Sequence, residues 1–280
     1  MYPISSLYLW DQRTLYVGEA FDLASITSGA SILVYCIEGA MKITLADCAE
    51  PVVTRSALIP AGMSFNASTN GKRVGICFLD PCGGDLYQCK KFMGKSLGGI
   101  YFDSNDESHQ IQVLENIFSK RMSEDIAYEE MKRYFFSRSN TPDKEHLVDD
   151  RIVHVIAFIK NNVAGNHSNR YLADLVDMSD IQLRRIFKKT TGIPIRRYRL
   201  WHRLFVTANL MALGNTLTEA SIAAGFSDSS HFNHVFKSML GIRPSFVLKR
   251  AENIRIFAPY INNCLIGDVL NFRSPSDVAL

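Results

Sequence analysis

Two sets of side chains in the C-terminal part of the sequence have the types and spacing to donate hydrogen bonds from one face of a helix. The first set is Ile181, Arg184, Arg185, Lys188 and Lys189. The second set is Ser229, Ser230, Asn233, His234 and Lys237. Guanidinium groups donate paired hydrogen bonds to guanine O6 and N7, whereas short hydroxyl and amide groups contact adenine or phosphate oxygens. Lysines suit phosphates and Ile181 suits a thymine methyl group, so both sets are typical of double-stranded DNA recognition.

Each set lies in the second half of a repeated segment. Residues 170–194 and 217–244 share a short apolar helix, a turn, a Ser-Asp pair and a second helix with a Phe-Lys pair. The Ser and Asp side chains can cap the second helix, and a Gly followed within three residues by Pro can end it. The pattern therefore predicts two helix-turn-helix units.

Apolar residues on the inward faces predict a small core for each unit. The first core is predicted from Leu172, Leu175, Val176, Leu183, Ile186 and Phe187. The second is predicted from Ile222, Ala223, Phe226, Phe232, Val235 and Phe236. A long helix over 194–215 connects the units, and its early turns carry Arg196, Arg197, Arg199 and Arg203. Such a rigid helix would hold the two DNA-reading helices about 34 Å apart, which is one turn of the DNA duplex. We expect the first unit, which is more basic, to supply more of the base-specific binding energy.

The net charge of +3 over 280 residues is unevenly distributed. Residues 1–150 carry 14 Lys and Arg against 20 Asp and Glu, whereas residues 151–255 carry 16 against 6. An acidic front and a basic back indicate a nucleic-acid-binding module joined to a different domain.

The front of the chain has a strand pattern followed by a helix pattern. Strands are predicted at 7–10, 14–17, 31–37, 41–46, 57–62 and 74–79, which favours a small barrel or double sheet. Residues 81–108 are Gly-rich and are predicted to be irregular, and two helices are predicted within 109–138. We expect a regulatory domain over 1–138, a linker over 139–149, a DNA-binding domain over 150–255 and a C-terminal extension over 256–280.

The C-terminal segment 151–252 resembles the DNA-binding domain of the AraC/XylS transcription regulators. The matching positions in the second unit are Ala223, Gly225, Phe226, Asp228, Ser230, His231, Phe232, Phe236, Lys237, Gly241 and Pro244. Those in the first are Leu172, Ala173, Ser179, Leu183, Arg185, Phe187, Lys188, Gly192 and Pro194. The resemblance covers a little over a third of the chain. It implies a sequence-specific activator that binds double-stranded DNA and RNA polymerase, with base-reading residues among the two sets above.

The front resembles the regulatory domain of the same family more loosely, through residues 38–45 and 56–65. The predicted fold class is α+β: a cupin-like N-terminal β-barrel with two helices, then an all-α domain with two helix-turn-helix units joined by a long helix. Metal-binding cupins use histidine ligands, but residues 1–108 contain no histidine, so no metal site is expected.

A small effector could occupy the interior of the barrel and bias the DNA-binding state. Candidate effector-binding residues are Lys42, Arg55, Lys72, Arg73, Tyr35 and Phe65. The alternative is that the cations are solvated and the aromatic residues belong to an ordinary core. Similarly, Ile126, Met131 and Phe135 form a stripe that suits either a partner helix in a homodimer or packing onto the barrel.

Two other functions stay open on the sequence. One is a DNA-binding enzyme, such as a Cys-dependent repair protein, although the six cysteines include no C-x-x-C pair and reduced thiols without a chemical role are the favoured interpretation. The alternative to reduced thiols without a chemical role is a metal or redox role for Cys77, Cys82 and Cys89. The other function is a regulator controlled only by a protein partner. No signal peptide or membrane-spanning pattern is present, so a cytoplasmic location without membrane contact is expected. In the apolar tail, Ile266, Val269 and Leu270 could cover a patch on either domain.

Overall fold

The computed structural model describes residues 5–20, 22–46, 48, 50–82, 84–136, 148–242, 244–245 and 254–258. Its strands are β1 (Ser5–Trp10), β2 (Arg13–Glu19), β3 (Leu23–Thr27), β4 (Ser31–Cys36), β5 (Met41–Leu45), β6 (Val52–Thr54), β7 (Ser56–Ile59), β8 (Ser64–Ser68), β9 (Arg73–Leu79), β10 (Met93–Leu97), β11 (Ile100–Ser104) and β12 (Ile254–Phe257). Its helices are α1 (Asp85–Lys90), α2 (Glu107–Ser119), α3 (Glu124–Met131), a π-helical turn (Lys132–Phe136), α4 (Asp150–Asn161), α5 (Asn169–Asp174), α6 (Asp180–Thr191), α7 (Ile195–Ala212), α8 (Leu217–Ala223) and α9 (Ser229–Leu240).

Two sheets build the N-terminal half. The larger has the order β10-β11-β7-β4-β9-β2-β1-β12, and the smaller has the order β3-β8-β5-β6. The central strand β4 is buried along its whole length because both of its faces are covered. Ile32 and Val34 point between the sheets, whereas Leu33 and Tyr35 point to the opposite core. This alternation follows from the two-residue period of a strand.

The helices α2 and α3 cover the outer face of the larger sheet. Ile111, Leu114 and Ile117 of α2 share one apolar core with Met131 and Phe135. Gly75 of β9 permits this close approach, because a Cβ there would lie 2.7 Å from a Leu114 methyl carbon.

The C-terminal half is helical from α4 to α9, and the fold is α+β as the sequence predicts. The first apolar core includes Ile156, Leu183 and Phe187, and the second includes Leu204, Phe226 and Phe232. The linker prediction falls almost entirely outside the described residues, which resume at Val148; the Asp149 side chain then caps α4 by accepting from the Arg151 N–H at 3.0 Å.

One sequence-based expectation is wrong. Residues 81–108 are not irregular, because they form α1, β10 and β11, and the last two are a hairpin turned by Gly98 and Gly99 at φ of 57° and 88°. The chain also re-enters the front sheet near its end. Strand β12 pairs parallel with β1, and Phe257 stacks on Tyr8 at 4.4 Å between ring centroids. Ile266, Val269 and Leu270 lie outside the described residues.

Candidate DNA-reading surfaces and an apolar cavity

Helix α6 presents the first predicted reading face. Its N-terminus is closed by a reciprocal capping box between Ser179 and Gln182, and its C-terminus ends at Gly192 in the left-handed conformation (φ 78°). Leu183 and Phe187 are buried beneath it, and the Phe187 ring meets Tyr198 edge-on. The ends and inward face are therefore fixed by local hydrogen bonds and packing.

The outward face of α6 carries the whole first set. Ile181 is 72% exposed, which is unusual for an isoleucine, and the four basic residues are exposed beside it. Arg184 contacts Asp180 at 3.0 Å within the same helix. An exposed pair of this kind contributes little stability, so the Arg184 guanidinium can exchange Asp180 for another acceptor.

Helix α9 presents the second face. The Asp228 side chain accepts from the His231 backbone N–H at 2.7 Å, and this hydrogen bond lowers the pKa of the carboxyl group. Gly241 ends the helix in the left-handed conformation (φ 74°). Phe232, Val235 and Met239 are buried. The outward residues Ser230, Asn233, His234 and Lys237 are exposed, and Ser229 is half-buried.

The early arginines of α7 do not join these faces. Arg199 donates to the carbonyl oxygens of Gly165 and His167 at 2.6 and 2.7 Å. Arg203 is buried and donates to the Val163 carbonyl oxygen at 3.0 Å; burial lowers its pKa to about 10. Both side chains thus donate hydrogen bonds to backbone carbonyl oxygens of the turn after α4. Part of the basic charge counted in the sequence therefore has a structural role. Arg196 is exposed.

Two residues predicted for the small cores lie at the surface. Leu175 is 45% exposed because α5 ends at Asp174, so the helical stripe does not continue to it. Ile222 is 54% exposed because the inward face of α8 is formed by Ala220, Ser221 and Ala224.

The helical half packs directly on the sheets. Lys160 of α4 contacts Asp80, at the end of β9, at 2.9 Å and Asp11 at 3.7 Å. Burial lowers the pKa of Lys160, but the two carboxylates outweigh burial and the net direction is upward. The Tyr198 hydroxyl lies 3.4 Å from Asp80 Oδ2. Further along α7, Arg197 donates to the Thr27 carbonyl oxygen at 2.7 Å.

An apolar cavity of about 540 Å³ lies between the two halves. The sheets contribute Ile32, Val34, Ile43, Phe65, Ile76 and Phe78 to its wall. The helices contribute Trp201, Phe205, Ala208 and Met211 from α7 and Phe236 and Met239 from α9. The volume falls in the range of small-molecule sites, and the same walls include the connecting helix α7 and helix α9.

Comparisons with known proteins agree with this architecture. A family described as Helix-turn-helix domain matches residues 172–250. The HTH-type transcriptional regulator YidL of Escherichia coli K12, itself described as uncharacterized, is 32% identical over 103 residues, covering 36% of this chain and 35% of YidL. The HTH-type transcriptional activator RhaS of Escherichia fergusonii is 31% identical over 97 residues, covering 34% of this chain and 35% of RhaS. Residues 172–250 therefore match a helix-turn-helix domain of the AraC type. The matches span about a third of the length of these curated relatives.

Solved structures of ToxT from Vibrio cholerae share the fold of this protein over most of its length. An apo ToxT variant aligns with a TM-score of 0.57 at 14% identity, covering 86% of this chain and 98% of ToxT. Wild-type ToxT bound to an unsaturated fatty acid aligns with a TM-score of 0.54 at 14% identity, covering 86% and 96%.

The predicted effector-binding residues are not brought together. Phe65 lines the cavity, but Tyr35 lies in the other core and donates to Gln110 Oε1 at 2.7 Å. Lys42, Arg55 and Lys72 are exposed and Arg73 contacts Glu115 at 3.3 Å, so these four cations are surface groups. The sequence analysis did not predict that residues of α7 and α9 line a cavity, because an ordinary helical core explains their apolar side chains equally well.

The predicted dimerisation stripe is also divided. Ile126 is 55% exposed, whereas Met131 and Phe135 are buried against the sheet. Met131 and Phe135 pack onto the sheet, and the Phe135 ring meets Tyr35 with centroids 5.4 Å apart.

The five described cysteines are free thiols. Burial raises the pKa of Cys36 to about 11 and that of Cys82 to about 12, and it also raises the pKa values of Cys77 and Cys89. Within the described part of the chain, no helix is long and apolar enough to cross a bilayer. The same residues include no group of three or more His, Cys, Asp or Glu that could hold a metal ion.

Proposed function

We propose that this protein is a sequence-specific DNA-binding transcription regulator that inserts α6 and α9 into successive major grooves. The observation that carries the proposal is the pair of similarly bounded helices. Each has a side-chain N-cap and a left-handed glycine at its C-terminus, and each leaves a hydrogen-bonding face exposed. The N-terminal residues of such a helix reach base edges, and basic residues further along meet phosphates.

The α6 face supplies more cations than the α9 face. Arg184 and Arg185 are placed to read guanine, while Lys188 and Lys189 follow one turn later for phosphates. On α9, Ser230, Asn233 and His234 suit adenine or phosphate oxygens. We therefore assign the larger base-specific contribution to α6.

Regulation is proposed to act through the cavity. A molecule between the sheets, α7 and α9 would favour one arrangement of the two halves by its differential affinity for that arrangement. The similar ToxT fold has been solved with an unsaturated fatty acid bound, which supports an apolar effector here. We further propose that the protein acts as an activator, as RhaS is described to do, by contacting RNA polymerase, and that it can form a homodimer.

Selection from a random duplex pool tests the DNA-binding proposal. The intact chain should enrich a bipartite asymmetric sequence whose halves lie about 10 base pairs apart, one helical turn. Binding to the enriched sequence should weaken steeply with salt, since phosphate contacts release counterions. Enrichment of no sequence over the starting pool at moderate salt would reject the proposal.

The cysteine-dependent enzyme is the weaker candidate. A thiol acts as a nucleophile or metal ligand in its thiolate form. The raised pKa values of Cys36, Cys77, Cys82 and Cys89 keep those thiols protonated near neutral pH. A regulator that is controlled only by a protein partner would bind no small molecule in the cavity, so ligand binding to the intact chain distinguishes the two.

A further inference from the structure

Strand β12 forms part of the cavity wall and is also an edge strand of the larger sheet. We infer that β12 is a detachable strap: a small molecule enters the cavity when β12 separates from β1, and the cavity closes when the strand returns. This inference rests on the proposed function in treating the occupant as an effector, but the opening itself can be measured without DNA.

One face of β12 closes the cavity. Ile254 and Ile256 line it, and so do Ser5 and Leu7, their register partners on β1. Because β12 is the last strand of its sheet, these side chains lie at the rim of the cavity rather than at its centre. Separation of β12 from β1 would therefore remove two side chains from the wall and open the cavity along β1.

The opposite face of β12 provides the attachment. The Phe257 ring stacks on Tyr8, with centroids 4.4 Å apart and 4° between the ring planes. The Arg255 guanidinium carbon lies 4.7 Å from the centroid of the Phe257 ring. Aromatic stacking and cation–π contacts at partly exposed positions stabilise a contact only modestly. The strand is thus held by contacts that do not belong to the cavity wall.

This attachment is weaker than that of the other strands in the wall. Among the described strands that line the cavity, β12 alone contains no buried residue. Its pairing with β1 is parallel, whereas the other described strand pairs are antiparallel. Parallel pairing is slightly less stable, and segments with few buried apolar contacts open locally at low free energy. Strand β12 is therefore the part of the wall that opens most readily.

A disulfide between β12 and β1 tests the strap in the intact chain. Ser6 and Arg255 are register partners on the face away from the cavity. Adjacent strands lie about 4.8 Å apart, within the Cα separation that a disulfide spans. Ser6→Cys/Arg255→Cys is combined with Cys48→Ser and Cys264→Ser. The other four cysteines are kept, since burial raises their thiol pKa values and makes them poorly reactive.

The rate at which a neutral dye enters the cavity measures the opening. N-phenyl-1-naphthylamine, which fluoresces in apolar surroundings, is mixed without DNA with the oxidised and the reduced protein. We expect the reduced protein to bind the dye saturably and the oxidised protein to take it up at least about tenfold more slowly. Dithiothreitol should restore the rate in the same sample. Equal rates in the two forms, or no dye binding to the reduced protein, overturns the inference.

A matched pair of phenylalanine substitutions tests the attachment without a cross-link. Phe257 and Phe118 are both partly buried on the same core, and each ring centroid has an arginine 4.7 Å away, Arg255 and Arg73 respectively. Phe257→Ala removes the stack on Tyr8 and should speed dye entry by about two- to tenfold. Phe118→Ala should leave the rate unchanged. A wild-type rate in Phe257→Ala, or equal acceleration in both variants, contradicts the strap.

Substitutions on α7 locate the dye. Ala208 lines the cavity, whereas Ala212 on the same helix is exposed and does not. Ala208→Phe should weaken dye binding, and Ala212→Phe should retain it. An unchanged Kd in Ala208→Phe would place the dye elsewhere and count against entry under β12. Failure of these measurements leaves the duplex selection unaffected, so the two proposals fail separately.

Discussion

At the scale of single residues, the two sets of outward side chains were predictable because helical periodicity alone decides which face a residue occupies. Ile181, Arg185 and Lys188 are exposed while Leu183 and Phe187 are buried, as intervals of three and four require. The roles of Arg199 and Arg203 were not predictable in this way. They depend on residues 163–167 folding back against α7, which no local pattern in the sequence records.

Arg185→Ala is expected to weaken binding to the selected duplex by about 10- to 100-fold and to relax the preference at one base pair. The reason is the loss of a bidentate guanine contact, which is worth about 1–3 kcal/mol. Fluorescence anisotropy at fixed salt, with specific and scrambled duplexes, measures the change. Arg133→Ala removes another exposed arginine, from the front half, and should leave both affinities unchanged. Equal affinities of Arg185→Ala and the wild type for the selected duplex would contradict the role assigned to α6.

His202 makes the stability of the protein depend on pH. It is buried on α7, its Nε2 has no hydrogen-bond partner among the described residues, and burial, reinforced by Lys160, lowers its pKa to about 4. Asp80 and Asp11 oppose this shift only partly. Because the folded pKa lies below the unfolded value, the unfolded chain takes up a proton first as the pH falls.

The contribution of His202 is therefore complete above about pH 6.5 and is lost between pH 6.5 and 4, amounting to about 3 kcal/mol. Urea unfolding of the wild type and His202→Gln across this range should give a shallower pH dependence for the variant, whatever its stability at pH 8. Parallel curves for the two proteins would show that His202 is not the group responsible.

At the scale of elements, the glycines that end α6 and α9 also contact the front half. A Cβ at Gly192 would lie 3.0 Å from the Ala61 carbonyl oxygen, and a Cβ at Gly241 would lie 2.5 Å from the Ile26 Cγ2. The sequence predicts the helix-ending role of both glycines but not this contact, since it depends on how β3 and the β7–β8 turn meet the helices. The C-termini of α6 and α9 are thus both seated against the sheets.

Gly241→Ala is expected to destabilise the protein more than Gly214→Ala. Both positions have positive φ, 74° and 94°, so both substitutions carry the left-handed strain of about 1–2 kcal/mol. A Cβ at Gly214 meets nothing within 4 Å, whereas at Gly241 it collides with Ile26 and Leu23. The difference in free energy of unfolding by urea, about 1–3 kcal/mol, measures the steric contact between α9 and β3. Equal losses in the two variants would mean that α9 does not pack on β3 in solution.

Elements joined by distant pairing were the ones the sequence could not predict. The strand runs of β1, β2, β4, β5, β7 and β9 are local and were recognised. Strand β12 is four residues long and pairs with β1 across nearly the whole chain. The cavity has the same character, because its walls come from strands and helices far apart in sequence, each of which has an ordinary apolar face.

At the scale of the whole molecule, an ion pair with little solvent exposure lies beside the apolar interface between the front and back halves. Trp201 packs on Phe78 with ring centroids 5.2 Å apart, and a Cβ at Gly29 would lie 2.6 Å from the Trp201 Cβ. Lys160 and Asp80 lie near this contact with side chains 16% and 12% exposed. Helices α4 and α7 both contact this interface, through Lys160 and Trp201.

Asp80→Asn is expected to destabilise the intact chain strongly, whereas Asp11→Asn is expected to have little effect. Both aspartates contact Lys160, but Asp80 is closer, at 2.9 against 3.7 Å, and its side chain is far less exposed, at 12% against 54%. Removing one partner of a buried pair leaves an uncompensated charge and costs about 3–5 kcal/mol, while an exposed pair contributes about 0–1 kcal/mol. Urea unfolding at pH 7.5 measures both losses. If Asp80→Asn alone is destabilised, the Lys160–Asp80 ion pair fixes α4 to the front sheet. If the two variants lose equal free energy of unfolding, Lys160 is solvated and Asp80 does not join the two halves.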